Sequence, residues 1–239
     1  MLDSSRKVVV VGDGMVGKTA LLQAYVQDIF DSDYIPTVFE TTAKDVELED
    51  GRHITLGLWD TGGQEEFDQI RQLAYPGASL ILLCYAVDCR TSLDNIVHTW
   101  VGEVRSYCPS IPIMLIGCKS DRRCAPVFSQ GGNSRRGTPV IDCVKPDEAE
   151  KIRKQIGALF HLECSALNRS NIEAVFQLAA RLILDSSTDR TRRINVRRIL
   201  SFNRTKSVSN GGAVGAECGS KRSRISSRMS NLLCMSKSS

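Results

Sequence analysis

Over the first 185 residues, runs of apolar residues alternate with stretches in which apolar and polar residues recur at helical spacing. Lys7-Val8-Val9-Val10-Val11 is a short unbroken run of buried-strand type, and Ala20-Leu21-Leu22-Gln23-Ala24-Tyr25-Val26 is helical in pattern. Residues 43–48 and 53–59 read as two strands joined by Glu49-Asp50-Gly51, a hairpin turn. The runs 80–87, 111–117 and 159–164 predict three further buried strands. The spacing predicts helices over 93–107, with Ser92 as a cap, over 147–156, opened by Pro146, and over 171–184. Strands and helices that alternate in this way predict an α/β fold: a doubly wound, mostly parallel six-stranded sheet with helices on both faces.

Two stretches break the rhythm. Residues 122–139 contain Ser129-Gln130-Gly131-Gly132-Asn133-Ser134-Arg135-Arg136-Gly137, which reads as a surface insertion. From Ser186 onward Ser, Asn, Gly and Arg dominate, a composition that buries too little apolar surface to fold alone. The expected organisation is a folded domain over 1–185 and a basic disordered tail over 186–239. Charge sharpens the division: 186–239 carries twelve Lys/Arg against two Asp/Glu, and 1–185 carries nineteen against twenty-five. An acidic body with a basic end argues against nucleic acid as partner and for an anionic membrane surface met by the tail. The apolar run 80–87 is strand-sized rather than membrane-spanning, and no signal-type segment precedes Lys7. Nine cysteines without C-x-x-C spacing and three scattered histidines argue against zinc and disulfides. A reducing compartment, the cytoplasm, is expected.

The candidate chemistry begins at Gly12-Asp13-Gly14-Met15-Val16-Gly17-Lys18-Thr19, which fits the phosphate-cradling pattern G-x-x-x-x-G-K-[ST] and lies between a strand and a helix. There, backbone N–H groups and the start of the helix at Ala20 face an anion, Lys18 neutralises β- and γ-phosphates, and the Thr19 hydroxyl holds Mg²⁺. Asp60-Thr61-Gly62-Gly63-Gln64-Glu65 follows a strand. An Asp in this place binds a metal's water shell, the Gly63 N–H meets a γ-phosphate, and Gln64 orients an attacking water. Thr37 is either a second hydroxyl for Mg²⁺ or a solvent-facing loop residue. Cys118-Lys119-Ser120-Asp121 follows another strand, and its carboxylate matches the paired N–H groups of guanine, which adenine lacks. The Lys119 stem could lie across the base. Ser165 and Ala166, after the last strand, would offer N–H groups to a base carbonyl.

In this order the motifs resemble those of the small GTPases, over roughly residues 6–185. Tyr34-Ile35-Pro36-Thr37-Val38-Phe39-Glu40, Tyr75-Pro76-Gly77-Ala78 and the insertion after Asp121 resemble the Rho group specifically. The resemblance implies a GTP/GDP switch that uses Mg²⁺, hydrolyses GTP slowly, and meets effector, exchange-factor and GTPase-activating proteins as a monomer, in actin and polarity control. It implies that Phe30 packs edge-on against guanine, that 30–42 and 61–76 are the two switches, and that Gly14 leaves room for an arginine finger. Gly62 stands where Rho proteins usually have Ala, and is expected to add backbone freedom to the second switch. Cys118 stands where Asn or Thr usually ties the base loop to the phosphate loop; a thiol is a poor substitute.

Gly117-Cys118-Lys119-Ser120-Asp121 and Lys154-Gln155-Ile156-Gly157-Ala158 are similar to the Rnd branch, which holds GTP without hydrolysing it, whereas Gln64 and Gly14 favour hydrolysis. An ATP-using P-loop enzyme is the third reading, and Asp121 opposes it. Ser236 occupies the position a prenylated cysteine would take. Arg190, Arg192, Arg193, Arg197 and Arg198, interleaved with Ile194, Val196, Ile199, Leu200 and Phe202, offer a basic amphipathic alternative for reaching the inner face of the plasma membrane. Cys218 or Cys234 could add an acyl chain.

Overall fold

The computed structural model describes residues 5–31, 36–124 and 143–188. Most of the insertion, the basic arginines of the tail, and Cys218 and Cys234 lie outside these residues. Six strands form one sheet in the order β2-β3-β1-β4-β5-β6. They are β1 (Arg6–Val11), β2 (Phe39–Glu47), β3 (His53–Thr61), β4 (Leu80–Ala86), β5 (Ile113–Cys118) and β6 (Phe160–Glu163). Only β2 runs antiparallel, paired to β3 through the turn after Glu47; the other pairings are parallel. The helices are α1 (Lys18–Val26), α2 (Asp68–Gln72), α3 (Arg90–Asn95), α4 (Val101–Tyr107), α5 (Pro146–Gln155) and α6 (Ile172–Thr188).

The pattern is a consequence of burial. β4 and β5 are buried at every position and β1 from Val8 to Val11, as expected of central parallel strands covered on both faces. β2 alternates exposed and covered positions because it is the sheet's edge. Parallel strands place their C-terminal ends along one rim, and the loops after β1, β3, β5 and β6 all open there, where open α/β sheets bind ligands.

Two boundaries differ from the pattern. β2 starts at Phe39, because Phe39 already pairs with Thr61 and the loop before it is shorter than its polarity suggests. The helix expected over 93–107 starts at Arg90, and Ser92 does not cap it. The Ser92 hydroxyl lies inside the first turn, accepts from the Ala86 N–H (3.0 Å) and donates to the Cys89 carbonyl (2.6 Å), so it ties the helix to the end of β4. Between α3 and α4 the helix widens into a π segment, Ile96–Trp100. The widening changes which residues face the sheet and buries both Ile96 and Trp100.

Across the opposite face, Tyr25 of α1 stacks on Phe176 of α6 with ring centroids 3.8 Å apart, and Phe176 is fully buried. The Phe176→Ala chain is expected to lose about 3–5 kcal/mol of unfolding free energy, read from urea denaturation, because the cavity would sit between two helices that cannot close it.

Candidate functional site

The loop between β1 and α1 is shaped by backbone that only glycine takes easily. Gly12 and Gly17 have φ of 144° and 108°. The first bond within α1 runs from the Leu21 N–H to the Gly17 carbonyl (2.9 Å), which leaves the amides of Lys18, Thr19 and Ala20 at the open start of the helix. Lys18 is buried, and its ammonium donates to the Gly12 (2.8 Å) and Asp13 (2.7 Å) carbonyls. An ammonium has three N–H groups, so one remains for an anion. Burial lowers the Lys18 pKa, and the nearby Asp60 charge opposes the shift. Met15, Gly14, Thr19 and Ala20 line the cleft, whereas the buried Val16 can offer it only backbone. Asp13 turns its carboxylate away, to the Asn95 amide (2.7 Å) and the Trp100 indole N–H (2.6 Å).

Asp60 is the second-last residue of β3 and is 3% exposed, and neither of its oxygens has a hydrogen-bond partner among the described residues. Burial pushes its carboxyl up to about 6, while the Thr19 hydroxyl and Lys18 pull it part of the way back. The Thr37 hydroxyl lies 2.7 Å from that of Thr19, so this side chain faces inward rather than toward solvent. A buried, unsatisfied carboxylate beside two converging hydroxyls is a hard-oxygen donor set that fits Mg²⁺.

The segment after β3 presses onto the phosphate loop. A Cβ on Gly63 would lie 2.3 Å from the Gly12 carbonyl oxygen, and one on Gly14 would lie 3.6 Å from the Gln64 side chain. Gln64 is exposed at the mouth of the cleft. The expectation for Gly62 needs a different physical reason. Its φ is not in the left-handed region, but a Cβ there would meet the Thr37 carbonyl oxygen at 2.7 Å and the Phe67 ring at 2.5 Å. Gly62 therefore supplies space for the segment after β3 to touch the stretch that carries Thr37, and its N–H donates to the Val38 carbonyl (3.1 Å).

A second recess, lined by Phe30, Cys118, Lys119, Asp121, Ala166 and Leu167, continues from the first; Gly17, Ala20, Phe30 and Lys119 border both. Asp121 is held by the Ser165 hydroxyl, which donates to Oδ1. The Ser165 N–H is already given to the Ser170 carbonyl (3.0 Å), so Ser165 braces the carboxylate and does not present its amide to a base. Cys118 makes its tie to the phosphate loop by packing: a Cβ on Gly17 would lie 3.4 Å from the Cys118 Cβ. Its thiol instead interacts with those of Cys164 and Cys84, which hold it below the usual thiol range. The motifs gave no sign of Asn95, Trp100, Arg71 or Glu103, whose contacts with the site depend on the π segment and on the packing of α2.

Two outcomes are expected from this geometry. A carboxyl raised from 3.8 to about 6 makes the fold less stable as pH climbs through that interval, because the unfolded chain releases its proton first. In nucleotide-free protein, Asp60→Asn should therefore add about 2–3 kcal/mol above pH 7 and nothing below pH ~4, measured by urea unfolding across a pH series. Gly62→Ala should separate the switches at a cost of about 1–3 kcal/mol, speeding release of a fluorescent GTP analogue about 5–100-fold while hardly altering that of the GDP analogue.

The Ras family model matches residues 7–185. The chain is 44% identical over 185 residues to GTP-binding protein RHO4 of Saccharomyces cerevisiae, a match covering 77% of this chain and 60% of that protein. It is 44% identical over 176 residues to GTP-binding protein rho1 of Schizosaccharomyces pombe, covering 74% and 85% of the two chains. Against GTP-binding protein RHO1 of Candida albicans it is 43% identical over 179 residues, covering 75% and 88%. A phosphate loop that runs into a base recess, on a sheet of this order and over the same residues, leads to one conclusion: the chain belongs to the Rho family of small GTPases.

Proposed function

We propose that this chain cycles between GTP and GDP, with Gln64 as the residue that orients the hydrolytic water. The observation that carries the proposal is the convergence on one trough of Lys18, Thr19, Thr37, Gly63 and Gln64 at one end and Lys119 and Asp121 at the other. GTP laid along it would place its triphosphate against the Gly12–Gly17 loop and its guanine between Phe30 and the Lys119 stem, with the Asp121 carboxylate accepting the ring and exocyclic N–H groups. Ala166 would border the base carbonyl. Thr19 and Thr37 would hold Mg²⁺ and Asp60 its water shell. The ion supplies neutralisation of charge on the β- and γ-phosphate oxygens.

In the reaction, a water oxygen bonds to the γ-phosphorus as the bond from that phosphorus to the β-bridging oxygen breaks, and the water's protons pass to the released phosphate. Gln64 fixes the water in line, while Lys18 and the Gly63 N–H stabilise the charge. Gly14, with no side chain, leaves the space beside Gln64 open for an arginine supplied by an activating protein.

Residues 34–42 would contact effectors, and exchange factors would act on the same two switches. We take 1–185 as the nucleotide-binding domain and 186–239 as the segment that brings a monomer to an anionic leaflet. No helix among the described residues is long and apolar enough to cross a membrane. Control of actin and polarity is the role we assign. A GTP-bound module that never cycles is the second reading, and Cys118 is what favours it. GTP alone would co-purify with such a module.

Single-turnover hydrolysis of preloaded GTP is the test. Gln64→Leu should slow the intrinsic rate at least about tenfold and abolish most of the ~10³–10⁵-fold acceleration by a GTPase-activating protein. Equal rates for parent and variant would remove Gln64 from the reaction.

A further inference from the structure

Arg71 is 3% exposed although it lies on a five-residue helix at the surface, and it is the buried residue of α2. Its neighbours Ile70 and Leu73 face outward. Its guanidinium has a partner on every side. Nε and Nη2 form a fork with Glu103 of α4 at 2.7 and 2.8 Å, and Nη2 also reaches Asp68. Nη1 donates to the Gly62 carbonyl at 2.9 Å and leans toward the Gln64 carbonyl at 3.4 Å. The guanidinium lies 4.7 Å over the Trp100 ring, and the Tyr75 hydroxyl donates to the same Glu103 carboxylate. Burial works against the Arg71 charge, but the hydrogen bonds and charge of Glu103 outweigh it and raise the pKa above the ordinary arginine value.

A helix of five residues has no stability of its own. Its place is set by what it docks on, and α2 docks through a cation. The two carbonyls that Arg71 holds flank Gly63, so the guanidinium fixes the peptide planes that aim the Gly63 N–H and the Gln64 side chain. Trp100, which closes the π segment, supplies the face under Arg71 and at the same time donates its indole N–H to Asp13 of the phosphate loop. Glu103 stands three residues further on, on the same helical face. Trp100 of the π segment and Glu103 of α4 therefore hold the phosphate loop and the segment after β3 together.

We propose that Arg71 is a positioning residue for Gln64: clamped by Glu103 and Trp100, it fixes the Gly62 and Gln64 carbonyls and so sets where the Gln64 side chain stands relative to the phosphate loop. The proposal rests on the assignment of Gln64 made above. It is distinct from that assignment, because it concerns how the residue is held.

The test uses the full chain loaded with GTP and Mg²⁺. Arg71→Lys keeps the charge and loses the fork; Glu103→Gln keeps the shape and loses the charge that clamps it. Each should slow single-turnover hydrolysis about tenfold or more, since a displacement near 1 Å suffices for that, with GDP dissociation changed less than about twofold. In a Gln64→Leu background neither substitution should slow the reaction further, as expected of residues that act as a unit. Equal slowing in both backgrounds, or an unchanged rate in the parent background, would overturn the proposal.

If parent and Gln64→Leu hydrolyse at the same rate, the assignment of Gln64 has failed, and the clamp is then judged by amide hydrogen exchange with a non-hydrolysable GTP analogue bound. Exchange over 62–67 that is about tenfold faster in Arg71→Lys and Glu103→Gln upholds the clamp, and unchanged exchange refutes it.

Discussion

The site depends on backbones that approach more closely than side chains permit. The phosphate loop, the segment after β3 and the segment before β2 meet where Gly62 and Gly63 have no Cβ, and the contacts a Cβ would make there are between 2.3 and 2.7 Å. Atoms cannot share that space, so a side chain at Gly63 would force the backbone to move, and one at Gly62 would displace the Thr37 carbonyl and the Phe67 ring. The gain is that backbone N–H groups reach the place where an anion would lie, beside the side chains of Lys18 and Thr19. Backbone dipoles are fixed by the sheet rim and by the start of α1, so they need no reorganisation when charge shifts during a reaction.

The same packing leaves a charge that the protein alone does not satisfy. Asp60 sits near the end of a buried strand with no hydrogen-bond partner among the described residues, and Lys18 gives two of its donors to the loop's own carbonyls. A carboxylate in such a place costs stability in the nucleotide-free chain. It is a reasonable cost for a site meant to receive a cation together with a polyanion, since both charges are then compensated at once. Fold stability and ligand binding are linked here through one residue, in the sense that whatever neutralises Asp60 also holds the rim together.

Much of this was legible in the sequence, for a physical reason. Phosphate binding needs glycine at fixed spacing, central strands need unbroken apolar runs, and both leave local marks; hence the sheet is legible in the sequence, and so is the position of Gly12 to Thr19, Asp60 and Asp121 at or beside the ends of its strands. What stayed hidden depends on contacts between residues far apart in the chain. Ser92 reads as a cap, because a serine before an apolar run usually is one, yet its hydroxyl is turned to β4. Ser165 reads as a backbone donor, but its N–H goes to Ser170. Asp13 reads as one of the residues of the phosphate loop that meet the nucleotide, yet its carboxylate is turned to Asn95 and Trp100, and only the π segment brings Trp100 to it. The role of Gly62 was misjudged for the same reason: freedom is a property of one residue, whereas room for Thr37 and Phe67 is a property of three.

A switch has to be held in each state by little enough that one ligand can decide between them. Among the described residues, residues 36–42 meet the segment after β3 through the space at Gly62 that admits the Thr37 carbonyl, the Gly62 N–H on the Val38 carbonyl, and the Phe39–Thr61 strand pairing. The contacts on the far side of the second switch are much stronger, being charge-assisted and buried through Arg71 and Glu103. Strength is thus unevenly distributed. The end of the segment nearest the phosphate loop is held by neutral backbone contacts, while α2 is anchored to α4 by a charged pair. Close packing at Gly62 and a charged anchor at Arg71, nine residues apart, thus hold the two ends of this segment by contacts of different strength.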